Sequence, residues 1–167
     1  NTLSGSGTVR QALKDYSSAI EEGKADILGL YMVQKLREKG EITEGEVMDN
    51  YVTFLAGIFR SIRFGASSAH GRANMIRFNF FEQAGAFTRD GESGTYRVNR
   101  PEFEQAVKDL SNRILTLQGD GDYDAVAAFV ADMGNISPQL QADLDRLASA
   151  SIPVDIVFEQ GTEVLGL

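Results

Sequence analysis

Ile20-Glu21-Glu22-Gly23-Lys24-Ala25-Asp26-Ile27-Leu28-Gly29-Leu30-Tyr31 sets three carboxylates within six residues of a run that is otherwise largely apolar. Read as a helix, it stacks Glu22 and Asp26 at i and i+4, one turn apart on one face. Like charges at that spacing repel by roughly a few tenths of a kcal/mol, so a cationic partner would favour the arrangement. A hard or borderline cation, or a histidine that holds one, meets that need. The spacing suits a Glu that ligates zinc and an Asp one turn on that fixes the ring of a ligating His. Many such pairs on helices are merely solvated. Here Ala19, Ile20, Ala25, Ile27, Leu28, Leu30, Met32 and Val33 leave little room for a wholly exposed polar face. Carboxylates inside an apolar helix tend to be paired or metal-bound.

Outward from this stretch the pattern stays helical. Thr8 with Gln11 forms a capping box that opens an amphipathic run from Val9 toward Gly40. Gly23 and Gly29 each weaken that run by roughly 1 kcal/mol relative to Ala, so close packing or a metal is the expected reason for them. Lys35, Arg37 and Lys39 precede the Gly40 stop, where the helix dipole favours cations. Thr43 with Glu46 predicts a second capping box, and Val47, Tyr51, Leu55, Ile58, Phe59 and Ile62 carry helical spacing to about Phe64. A third helix is expected from Ser67 to about Gln83, with Gly85 beyond its end. Residues 86–89 and 95–98 alternate about Asp90-Gly91-Glu92-Ser93-Gly94 as a hairpin.

Asn99 is the expected cap of the next helix, with Pro101 in its first turn and Phe103, Val107, Leu110, Ile114 and Leu115 facing inward. Asp120-Gly121-Asp122 breaks the chain but lacks the spacing of a calcium loop. A short helix over 123–133, another from Ser137-Pro138 to near Ala148, and a strand or extended segment over 152–158 complete the pattern. The expected class is mainly α: a multi-helical domain over 1–167 with a small β-hairpin and a C-terminal extended segment.

Composition narrows the function. At 167 residues and 43% apolar content the chain fits one domain with its own core. A formal charge of −8 with no basic block argues against nucleic acid, whose phosphates it would repel. Without cysteine there is neither a disulfide framework nor a thiolate metal site. Apolar stretches are too short and interrupted to span a bilayer, so no membrane partner is expected. Asn1 to Gly7 lacks the charged and apolar regions of a signal peptide, which gives a cytoplasmic location as the expectation.

One histidine is present, in Ser67-Ser68-Ala69-His70-Gly71-Arg72-Ala73-Asn74-Met75-Ile76-Arg77. It is the only side chain here whose unperturbed pKa lies near neutrality. A lone His near a helix start is more often a cap or a packed residue. Small neighbours at Ala69, Gly71 and Ala73 nevertheless let a substrate or another segment come close. Arg72, Asn74 and Arg77 could add donors, although both arginines could equally be solvated.

These two stretches resemble the dipeptidyl peptidase III family of zinc peptidases. The family's Glu-Glu-x-Arg/Lys-Ala-Glu/Asp motif is matched by Glu21-Glu22-Gly23-Lys24-Ala25-Asp26, and its later Ala-His segment by Ala69-His70 in a helix running to Ala84-Gly85. The likeness is closest to bacterial zinc-hydrolase members, which have relatives joined to a nudix domain. It implies that Glu22 ligates zinc, that Glu21 and Asp26 orient two zinc-bound histidines, and that His70 contacts a peptide substrate and its developing oxyanion. Asn74 stands where family members often carry a substrate-anchoring Arg. Such peptidases need a His-Glu-x-x-x-His or His-Glu-x-x-His helix for two imidazoles and a general base. In the family that helix precedes the Glu-Glu segment, so it would fall before Asn1.

The expectation is therefore a C-terminal fragment of a larger zinc peptidase, inactive alone. Its implied partners are a peptide substrate and the upstream part of the same enzyme. The alternative is a non-catalytic acidic helical module that binds another protein. A nudix activity has no support, because no Gly-x5-Glu…Arg-Glu-x-x-Glu-Glu run occurs.

Overall fold

A computed structural model describes residues 1–155 and 158–166. Helix α1 (Val9–Leu13) opens with the expected capping box: Thr8 accepts from the Gln11 N–H, and the Gln11 side chain accepts from the Thr8 N–H. The predicted continuous run to Gly40 is interrupted. A 3₁₀ turn, Lys14–Tyr16, separates α1 from α2 (Ser17–Glu38). Contacts from a distant helix set the break: Lys14 lies 5.0 Å over the Tyr123 ring, and the Tyr123 hydroxyl donates to Asp15 at 3.1 Å.

Helix α3 (Val47–Ile62) begins at Glu46, whose N–H donates to Asp49 at 2.8 Å, and not at Thr43 as the sequence suggests. Arg37, at the end of α2, donates to the carbonyls of Glu44 and Gly45 and to Asn50. That clamp, with Gly45 at φ +66°, holds the connection in a turn until Glu46. Helix α4 (Ala69–Gln83) is capped by Ser68 and ends before Gly85, at φ +69°. Strands β1 (Phe87–Arg89) and β2 (Tyr96–Val98) pair antiparallel, with Thr88 opposite Arg97.

Helix α5 (Arg100–Asp120) starts after Asn99, but the Asn99 side chain donates to the Gly85 carbonyl instead of capping the helix. Phe103, Val107, Leu110 and Ile114 are buried as expected, whereas Leu115 is 47% exposed. One residue beyond Ile114 is about 100° around the helix, which turns Leu115 away from the core. Asp120 ends α5, Gly121 closes it in the left-handed region and Asp122 caps α6 (Tyr123–Met133), so all three residues of the calcium-like triplet serve helix ends. Ser137 caps α7 (Pro138–Ser149).

The segment after α7 is extended, but no strand forms among its described residues; Ile156 and Val157 lie outside them. Both hairpin strands pair only with each other, and Arg63 binds the carbonyls of Ile152 and Pro153. A short helix, α8 (Thr162–Leu165), follows without a sequence signal.

The core lies where α2 packs on α4 and α5, with α3, α6 and the hairpin closing the sides. Leu13, Ile20, Ile27, Tyr51, Ile58, Met75, Phe78, Phe81, Phe103 and Leu110 are almost wholly buried there. Close packing, the expected reason for two glycines in α2, requires neither: a Cβ at Gly23 would make ordinary van der Waals contact with Ile114 at 3.6 Å and Ala73 at 3.9 Å, and nothing lies within 4 Å of one at Gly29. Among the described residues no helix is long and apolar enough to cross a membrane.

Asp143 on α7 ties the hairpin down. It accepts from Arg89 Nε and Nη2 at 2.7 and 2.8 Å and from the Tyr96 hydroxyl at 2.7 Å. These hydrogen bonds, Arg89's first, hold its pKa down at about 2, against the desolvation of a buried carboxylate.

Two outcomes are expected. Gly71→Ala should destabilise the fold by about 1–3 kcal/mol in denaturant unfolding, because its Cβ would overlap the Gly65 carbonyl oxygen, whereas Gly29→Ala should stabilise it by roughly 0.5–1 kcal/mol. Asp143 has a folded pKa below its unfolded one, so its contribution is present above pH 3.8 and is lost as pH falls toward about 2. Acid unfolding of Asp143→Asn should therefore lose part of its pH dependence in that window.

Candidate active site

Two helical faces meet along the α2–α4 seam. Glu22 and Asp26 stand one turn apart on α2, and His70, Asn74 and Arg77 share a face of α4 at i, i+4 and i+7. The acidic pair faces the basic set. His70 Nδ1 lies 3.5 Å from Glu22 Oε2, with the imidazole 72% and the Glu22 side chain 41% exposed. Deeper in the seam Arg77 Nη2 donates to Asp26 Oδ2 at 2.8 Å.

Asn74 joins the two levels. Its amide Nδ2 donates to the His70 carbonyl at 2.9 Å, and its Oδ1 accepts from Arg77 Nη2 at 2.7 Å. It is buried, with its amide turned along α4. Arg77 is only 2% exposed, which removes the solvated alternative for it. Its Nε and Nη1 have no hydrogen-bond partner among the described residues, while the Phe54 ring of α3 stands 5.7 Å from its guanidinium carbon. Burial pulls the Arg77 pKa below its usual value, opposed by Asp26 and then by Glu22. The guanidinium still remains charged at any physiological pH.

Glu21 points toward α5. Lys24 Nζ lies 2.6 Å from its Oε1, and Gln118 Nε2 donates to its Oε2 at 2.8 Å. Those two hydrogen bonds, Lys24's first, lower its pKa. Glu21 and Glu22 border an open groove of about 410 Å³ together with Thr8, Arg10, Ser17 and Ser18. Arg72 faces elsewhere, into a groove with Tyr16, Ala66 and Gly134. The structure thus brings Glu22, Asp26, His70 and Asn74 into one seam and sets Glu21 at its edge.

The sequence offers Arg77 only as a possible donor, with solvation as the alternative, and Gln118 not at all. For Arg77 the signal was present, since it continues the 70, 74 spacing to one more turn. Gln118 has no local signal, because 97 residues separate it from Glu21. Among the described residues no group of three or more His, Asp or Glu side chains gathers in a metal-binding arrangement. Glu22 does fit as a single carboxylate ligand: it is half-exposed, its ion-pair partner is His70, and no Lys or Arg among the described residues pairs with it.

DPP III from Caldithrix abyssi superposes with a TM-score of 0.83 at 40% identity, over 89% of this chain and 28% of that one. The chain is a relative of dipeptidyl peptidase III. DPP III from Corallococcus sp. strain EGB gives a TM-score of 0.81 at 40% identity, over 89% of this chain and 27% of its own length. In sequence, Nudix hydrolase 3 of Arabidopsis thaliana is 42% identical over 149 residues, which are 89% of this chain and 19% of that protein. No family model matches. The chain therefore corresponds to less than a third of each of these relatives, and its fold is that of one portion of a dipeptidyl peptidase III.

Proposed function

We propose that this chain forms part of the catalytic region of a zinc-dependent peptidase of the dipeptidyl peptidase III kind. The observation that carries the reading is the apposition of Glu22 and His70 at 3.5 Å across the α2–α4 seam, in a chain 40% identical to two such peptidases.

Glu22 is the carboxylate ligand in this proposal. Two imidazoles and a general base come from outside this chain, so the isolated chain is inactive. When bound, zinc supplies Lewis acidity toward a peptide carbonyl and lowers the pKa of a water so that it attacks at neutral pH. The residues here act around that chemistry. Asp26 has Oδ2 committed to Arg77 and a half-exposed side chain, so it can accept an imidazole N–H and fix a ligating ring. Glu21 does the same from the edge of the seam, held in orientation by Lys24 and Gln118.

His70 is the most exposed member and stands on the substrate side. In contact with a peptide its ring donates to the carbonyl oxygen as negative charge develops there, a role that adds about 10²–10³ to kcat for a typical donor. Asn74 serves substrate binding from behind, by holding the His70 carbonyl and so the first turn of α4.

In the full-length protein Glu22→Ala should lower zinc content and peptidase turnover together, which metal analysis beside a dipeptide-release assay would reveal. His70→Ala should keep the zinc and lower kcat; loss of metal in that variant would contradict its place on the substrate side. A full-length wild type with neither zinc nor turnover would favour the interaction-module reading.

A further inference from the structure

We propose that Arg77 is the positioning residue of this site: one buried guanidinium nitrogen sets the orientation of Asp26 on α2 and, through Asn74, of His70 on α4. The role rests on the peptidase reading for its functional consequence, and on geometry alone for its structural one.

A buried guanidinium is costly, since charge loses its hydration and every unpaired donor adds a penalty. Arg77 leaves Nε and Nη1 buried without partners among the described residues. An apolar side chain of similar length would fill the same space without that cost. What Arg77 does make is specific. Its Nη2 binds Asp26 Oδ2 at 2.8 Å and Asn74 Oδ1 at 2.7 Å, so a single nitrogen spans the two helices. Asn74 passes the constraint to the backbone at His70, at 2.9 Å. Phe54 on α3 backs the guanidinium from 5.7 Å and restricts its plane.

Orientation is the result. The Asp26 side chain is 49% exposed and would otherwise sample several rotamers. Tied to Arg77 by one oxygen, it presents the other in a fixed direction. Like charge between Glu22 and Asp26, one turn apart, is offset from beneath by the same cation. Nothing in this arrangement asks Arg77 to touch substrate or metal.

The test uses the full-length protein with Arg77→Met, which fills the volume without the donors, and Arg77→Lys, which keeps the charge without the fork. Zinc affinity, kcat and KM, thermal stability and the crystal structure of each metal-free variant are measured. The expected result for Arg77→Met is an Asp26 side chain swung away from its wild-type place, with roughly ten- to a hundredfold weaker zinc binding. Recovery in Arg77→Lys should be partial, and kcat should fall more than KM rises. Unchanged Asp26 and His70 positions with unchanged zinc affinity, beside a lowered melting temperature, would overturn the proposal and leave Arg77 a packing residue. Should Arg77→Met fail to fold, the Arg77→Lys crystal structure and zinc affinity decide in the same way. If the wild type proves to bind no zinc, the peptidase reading fails, and Asp26 displacement in the crystal structures still decides the positioning role.

Discussion

The approach of α2 to α4 is the contact on which the rest of the structure depends. It closes because Ile20 and Ile27, two turns apart on α2, are buried in the same core as Met75 and Phe78. Two apolar faces could meet at many offsets. This one is fixed at a level where Asp26 reaches Arg77 and Glu22 reaches His70. A shift of one helical turn one way would set Leu30 where Asp26 stands and leave a buried guanidinium without its carboxylate, which is costly; a shift the other way would set Glu22 there and take it from His70. Charge therefore selects the register that hydrophobic packing leaves open.

The same physics separates structural from chemical carboxylates. Asp143 is deeply buried and fully engaged with Arg89 and Tyr96, so its lowered pKa reports a lock between α7 and the hairpin. Glu22 sits at the opposite extreme, half-exposed and paired with an imidazole that is itself mostly in solvent. Buried, saturated carboxylates hold folds together; partly exposed ones with spare lone pairs remain open to a cation or a substrate. Glu21 and Asp26 fall between, Glu21 held by two donors and Asp26 by Arg77, both with side chains about half exposed.

Much of the fold was legible because its signals are local. Capping at Thr8–Gln11, Ser137 before Pro138, the Asp90–Gly94 turn and the glycine ends at Gly85 and Gly121 each depend on residues a few positions apart. The two misread boundaries sit beside distant contacts: the break at Lys14–Tyr16 beside Tyr123, and the late start of α3 beside a clamp from Arg37. Leu115 is different: helical period alone turns it outward from the face set by Ile114, so it was decidable from spacing.

The sequence by itself determined which residues are chemically distinctive. Glu22 and Asp26 share a helical face because 3.6 residues make a turn, and His70, Asn74 and Arg77 share another for the same reason. Only the tertiary structure decided that the two faces meet, that Arg77 is buried rather than solvated, and that Gln118 reaches Glu21 from 97 residues away. Period and capping act over a few residues and can be read along a chain. Contacts between helices depend on how whole faces pack, which no short stretch of sequence encodes.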